Sequence, residues 1–231
     1  EISACLVGSE MCIRDSDYTY SDFVGQILPK VENGKLKYEF TAGPFTTLLA
    51  KAWNNPGKEN YLVIEEINRG NAPAIFGEIF QLLDRKTEDS HRYDPSEYGE
   101  SEYSITNSDI ATAVFGDPEE KIRIPSNMWI LATMNTADQN VFTLDTAFQR
   151  RWKLHHMKND VMSAGHSKAK IEGSEIEWGT FASVINEMVT DYSLEMMSSE
   201  DKRLGAYFVK KNELSAVSYT HLRAHETGRN L

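Results

Sequence analysis

Two short, unbroken apolar runs stand out along the chain, in "YLVIEE" (61–66) and "MWILATMN" (128–135). Runs of this length suit strands buried on both faces, as in a parallel sheet. Elsewhere apolar residues recur at helical spacing. Phe45, Leu48, Leu49, Ala52 and Trp53 share one face of a helix that Pro44 opens and "NNPG" closes. Ile75, Ile79, Leu82 and Leu83 do the same in "NAPAIFGEIFQLLDR" (71–85), where Asn71 suits the cap and Pro73 the first turn. "DYTYSDFVGQILP" reads as a short strand or loop stopped by Pro29, and "VENGKLKYEF" as a hairpin around an Asn-Gly turn. Residues 86–120 are polar and lack a strong period, which predicts a long loop. "KIRIP" predicts a short strand, "TLDTAFQRR" a short helix capped by Thr143, and "WKLHHM" a third sheet strand. Strand, helix, strand, helix, strand at this spacing is an α/β fold with a parallel sheet. From residue 158 to 214 the pattern is mainly helical, as for a smaller appended domain.

Composition narrows the partners. The 231 residues suffice for one large domain or slightly more, with 40% hydrophobic and 26% charged residues. No run approaches the roughly 20 apolar residues of a bilayer span, so no membrane contact is expected. The net charge of −11 argues against a basic surface that tracks phosphates, so any DNA contact would run through another domain or chain. Cys5 and Cys12 lack metal-ligand spacing and fit a reducing, cytoplasmic setting. His155 and His156 are adjacent, so on a strand they would point to opposite faces. The ends, 1–16 and 215–231, resemble translated sequencing adapter, and the expectation excludes both as non-native tails.

Ligands of open α/β sheets sit beyond the carboxyl ends of the strands. Glu65 and Glu66 follow one run, Asn135 ends the next, and Arg150 and Arg151 precede the third expected strand. Singly, each has a plain structural reading: a solvated strand end, a turn, a helix end. Together they form a kit for phosphoryl transfer. One carboxylate holds the water shell of Mg²⁺, the next activates water, the amide positions that water, and an arginine neutralises developing charge.

"VIEEINRGNAPAIFGEIFQLLDR" resembles the Walker B strand and following helix of McrB-type AAA+ NTPases, motor subunits of modification-dependent restriction systems. "PSNMWILATMNTADQNVFTLDTAFQRRW" is similar to that family's sensor-1 strand and arginine helix, and "YTYSDFVGQILP" to the segment after its nucleotide loop. "EDKRLGAYF" resembles part of the helical lid more loosely. The resemblance implies an incomplete AAA+ P-loop NTPase-like core over 17–157 and a lid fragment over 158–214. It implies Glu66 as the catalytic carboxylate, Glu65 on the Mg²⁺ side through water, and Asn135 as sensor 1. Arg150 or Arg151 becomes the trans finger, and Asn68 and Arg69 approach nucleotide and subunit interface. Asp138 belongs to the same nucleotide segment; with Asn135 it parallels a guanine-reading N-K-x-D motif, although Thr136 replaces the lysine. GTP or ATP would be the substrate, and the partners a homo-oligomeric ring, a hexamer, with a McrC-like nuclease subunit. Position 65 departs from the commoner Asp. No G-x-x-x-x-G-K-[ST] occurs, so the chain by itself is expected to bind nucleotide poorly and to be inactive. A MoxR-type AAA+ chaperone and a non-catalytic AAA-like interaction module are the alternatives.

Overall fold

The computed structural model describes residues 7–12, 18–90, 92–135, 141–192 and 203–214. They fall into two compact units, with the division between Leu154 and His155.

In the first unit, three parallel strands form a sheet in the order β1 (Val7–Cys12), β4 (Asn60–Glu65), β5 (Met128–Ala132). Val7 stands opposite Asn60 and Cys12 opposite Glu65, while Asn60 to Ile64 run beside Met128 to Ala132. The α/β class and the parallel sheet are as expected, but their strands differ. The third strand is Val7–Cys12, from a segment excluded as a tail, and not "WKLHHM". Residues 153–160 have no regular structure; Trp152 instead turns into an aromatic cluster.

β5 is also less buried than its apolar run suggested. Among the described residues only β4 pairs with it, so Trp129 and Leu131 remain exposed on one face while Met128 is buried. "KIRIP" forms no strand: Ile122 exchanges two backbone bonds with Ile105 as an isolated bridge, and Ile124 bonds Ser101 instead of continuing a ladder.

α1 (Tyr20–Phe23) leads into β2 (Gly25–Glu32) and β3 (Lys35–Ala42), a separate antiparallel hairpin. Asn33 and Gly34 have φ of 52° and 74°, the positive pair that a tight two-residue turn requires. Pro29 does not end β2; it lies within the strand opposite Tyr38, tolerated because the outer edge of β2 pairs with nothing among the described residues. Ile27, Pro29 and Val31 face Phe40, Tyr38 and Leu36 across the register.

α2 (Pro44–Asn54) buries Phe45, Leu48, Leu49 and Ala52, as its periodicity predicted, whereas Trp53 is partly exposed and donates to the Arg123 carbonyl. The single helix expected over 71–85 is broken. α3 (Ala72–Phe76) runs from Asn71, which accepts from the Ala74 amide, and gives way at Gly77 to 3₁₀ turns through Leu83. Gly77 has φ of 50°, and a Cβ there would lie 2.7 Å from the Tyr20 ring, so the chain bends around that ring. Even so, Ile75, Ile79, Leu82 and Leu83 all reach the core.

The long polar stretch contains a helix that the reading missed, α4 (Ser108–Phe115), capped by Asn107 and closed by Gly116. Arg85 ties the preceding excursion to the start of β5. Its guanidinium donates to the carbonyls of Gly99, Ile124, Pro125 and Met128, and burial lowers its pKa to about 10. α5 (Thr146–Gln149) is capped by Asp145 and not by Thr143.

The second unit has its own small core. α6 (Trp178–Tyr192) packs Trp178 and Ala182 with Val161, Val209 and Leu214. Asn186 on α6 both donates to the carbonyl of Leu204 and accepts from its amide, pinning the "RLGAYF" segment.

Candidate functional site

Among the described residues, five hydrogen bonds join the chain segments that leave the carboxyl ends of β4 and β5. Thr133 donates its amide to the Ile64 carbonyl at 2.9 Å and accepts from the Ile67 amide at 2.9 Å. Its hydroxyl accepts from the Glu66 amide at 3.2 Å. The Asn68 side-chain amide donates to the Asn135 carbonyl at 2.7 Å, and the Asn68 carbonyl accepts from the Phe142 amide at 2.8 Å. Apolar strands end here because the next residues turn and need polar partners for their backbone.

Glu66 itself adopts the left-handed conformation, with φ 53° and ψ 50°. Such a conformation is uncommon outside glycine and asparagine, and it persists only where the surroundings impose it. Here the bonds from Thr133 to residues on both sides of the turn impose it. The turn lifts the Glu66 carboxylate to a half-buried position, where Arg69 Nε donates to it at 2.7 Å. Glu65, the last residue of β4, is also half-buried. Asn135 is exposed just beyond β5. Asp138, the remaining expected member, lies outside the described residues.

Four of the expected residues, Glu66, Asn68, Arg69 and Asn135, are thus joined in one bonded network, with Glu65 next to it in sequence. The arginine pair is not. Neither Arg150 nor Arg151 bonds Glu65 or Glu66 among the described residues. Arg151 turns to Asp84, with Nη2 2.9 Å from its carboxylate, donates Nη1 to the Ala147 carbonyl, and lies 4.0 Å over the Phe80 ring. Arg150 is exposed and caps the end of α5 through its backbone. Thr133 is the residue that sequence reasoning missed. The signal was a hydroxyl directly after an apolar run, two positions before Asn135.

Among the described residues, no three His, Cys, Asp or Glu side chains gather closely enough to cage a metal. Two adjacent carboxylates are too few for Ca²⁺ held by protein alone, and they offer no soft donors for Zn²⁺. They fit Mg²⁺, which keeps several waters and needs few carboxylates.

The family description that matches residues 7–152 is the AAA domain of the dynein-related subfamily. The chain belongs to this AAA family. Two relatives extend the comparison. The Type II restriction enzyme BsuMI component YdiS of Bacillus subtilis (strain 168) is 37% identical over 234 residues, covering 85% of this chain and 62% of that protein. The Type IV methyl-directed restriction enzyme EcoKMcrB subunit of Escherichia coli (strain K12) is 29% identical over 135 residues, 58% of this chain and 25% of that protein. The chain therefore spans less than two thirds of either relative. The family match and these two restriction-system relatives together support a McrB-type AAA+ NTPase. NTP hydrolysis is the activity that membership of the AAA family suggests. No helix among the described residues is long and apolar enough to cross a membrane.

Proposed function

We propose that this AAA domain supplies the hydrolytic half of a ring-forming motor that turns over GTP or ATP in a restriction system and drives a partner endonuclease on modified DNA. The observation that carries the reading is the stitching of Glu66 to the Asn135 segment at the joint ends of β4 and β5. The relatives' names, both of restriction-enzyme components, support the biological setting.

In this reading Glu66 accepts a proton from the attacking water, and Asn135 orients that water near the γ-phosphate. Glu65, with Glu66, holds the water shell of Mg²⁺, which supplies charge neutralisation when bound. Arg69 engages one oxygen of the Glu66 carboxylate, Oε2, and holds the side chain near the turn. The contact is partly exposed and worth about 0–1 kcal/mol, so opening is cheap. Arg150, exposed just past the end of α5, is the better candidate to reach a neighbouring subunit's nucleotide; Arg151 is committed within its own chain. Lacking G-x-x-x-x-G-K-[ST], the 231 residues alone bind nucleotide weakly; hydrolysis needs a phosphate cradle. The negative charge places DNA contact on other domains or chains, in a cytoplasmic assembly of ring subunits and a McrC-like nuclease.

The test is phosphate release from GTP and from ATP by the protein expressed from the complete reading frame, with and without Glu66→Gln. Loss of a general base predicts a fall of roughly 10²–10⁴-fold. Undiminished turnover in Glu66→Gln rejects the assignment. No turnover in the parent favours an interaction module.

A further inference from the structure

We propose that Asn68 is a positioning residue that locks the sensor segment to the acidic turn, so that Asn135 and Glu66 hold a fixed relation to each other. Its catalytic consequence rests on the hydrolase reading above; its structural core does not.

Three observations carry the proposal. First, Asn68 is only 4% exposed, so its amide serves this chain's interior and not a neighbouring surface. Second, this one residue grips the sensor segment at two points. Its side-chain Nδ2 donates to the Asn135 carbonyl at 2.7 Å. Its backbone carbonyl, which a substitution would keep, receives the Phe142 amide at 2.8 Å, so the side-chain bond is the one that depends on asparagine. Third, its Oδ1 is buried and has no hydrogen-bond partner among the described residues.

The third point separates positioning from simple packing. A buried acceptor without a donor costs stability, and buried polar groups in folded proteins are nearly always paired. Leucine has almost the same shape and would fill the space without that cost. Asparagine at this position is explained by what its Nδ2 donor does. That donor meets a backbone carbonyl at the sensor residue itself.

Symmetry of the connections completes the lock. Thr133, two residues before Asn135, holds the Glu66 amide through its hydroxyl and the Ile67 amide through its carbonyl. Asn68, two residues after Glu66, holds Asn135. Each turn is thereby fastened by a residue of the other, on both sides of the two groups that act on water. With Asn68 released, Glu66 keeps its bonds to Thr133, but Asn135 loses its tie to the turn. Positioning errors of this kind lower turnover more than affinity, because only the reacting geometry is disturbed.

Asn68→Leu tests this in two arms. In the chain itself, hydrogen exchange is followed at the Phe142 and Glu66 amides, with the Leu131 amide in β5 as reference, alongside the urea midpoint. The expected result is exchange faster by about five- to tenfold at Phe142, a smaller rise at Glu66, an unchanged reference, and a midpoint that is unchanged or higher because the stranded acceptor is gone. In the protein from the complete reading frame, kcat is expected to fall by about tenfold or more while KM stays the same. Unchanged exchange at Phe142 overturns the proposal. So does an equal rise at all three amides with a lowered midpoint, which marks a purely structural residue, or an unchanged kcat in a protein that hydrolyses nucleotide. If the parent protein shows no turnover, the hydrolase reading fails while the exchange arm still decides the role of Asn68.

Discussion

Replacing Arg151 by alanine should destabilise the first unit by about 2–3 kcal/mol, while the same change at Arg150 should cost less than about 0.5 kcal/mol. Three contributions make up the larger figure. The ion pair to Asp84 joins side chains that are 20% and 30% exposed, which places it near the upper part of the usual range, about 1 kcal/mol. The guanidinium 4.0 Å above the Phe80 ring adds about 0.5–1 kcal/mol. The aliphatic stem, part of a side chain only 20% exposed, adds about another 0.5–1 kcal/mol. Arg151→Lys keeps the charge but loses the planar stack and the fork, and should cost about 1 kcal/mol. Urea unfolding followed by tryptophan fluorescence reads these values; with a slope of about 2 kcal/mol/M, Arg151→Ala should move the midpoint down by about 1 M. A double-mutant cycle with Asp84→Asn isolates the ion pair. If Arg150→Ala proves as costly as Arg151→Ala, or if Arg151→Ala costs under about 0.5 kcal/mol, the division of labour between the two arginines is wrong.

Other outcomes follow from single positions. Gly77→Ala should cost about 2 kcal/mol in the same assay, because φ of 50° is unfavourable for alanine and its Cβ would meet the Tyr20 ring at 2.7 Å. Phe148→Ala should cost about 3–5 kcal/mol, since this fully buried ring contacts Phe76, Phe80 and Trp152. Burial and the hydrogen bond to Glu78 raise the pKa of Tyr20 well above the tyrosine range. The folded state therefore favours the protonated phenol: its contribution is complete below the unfolded value of about 10 and is lost as pH climbs through the folded one. Urea midpoints measured from pH 8 to 11 should fall above about 10, and Tyr20→Phe should flatten that fall. An identical pH profile in the variant would exclude Tyr20 as its source.

The strand–turn core of the site was readable because it combines two strong local signals. "YLVIEE" and the apolar run before Asn135 are continuous, and carboxylates or amides directly after such runs fall at the sheet edge whatever the rest of the chain does. Elements whose form depends on distant partners were harder to read. Pro29 looked like a stop because its missing N–H matters only if the strand has a neighbour on that side, and it has none among the described residues. "KIRIP" alternates like a strand but makes only an isolated bridge, Ile122 with Ile105, and no ladder. The break at Gly77 depends on Tyr20, 57 residues earlier in sequence. α4 went unnoticed although Asn107 and Gly116 mark its ends, because the surrounding polar residues hid its short apolar face.

Sequence alone determined the chemical inventory: two carboxylates after one buried run, an amide after the next, and the family that carries them in that order. Those features are local, being written in residue type and spacing. Tertiary structure decided which members of the inventory act together. It joined Glu66, Asn68 and Asn135, added Thr133, and drew Arg151 away to Asp84 and Phe80. Hydrogen bonds reach only about 3 Å and depend on direction. Whether residues 67 positions apart meet is therefore set by strand register and the turns that follow it, and no window of sequence contains both.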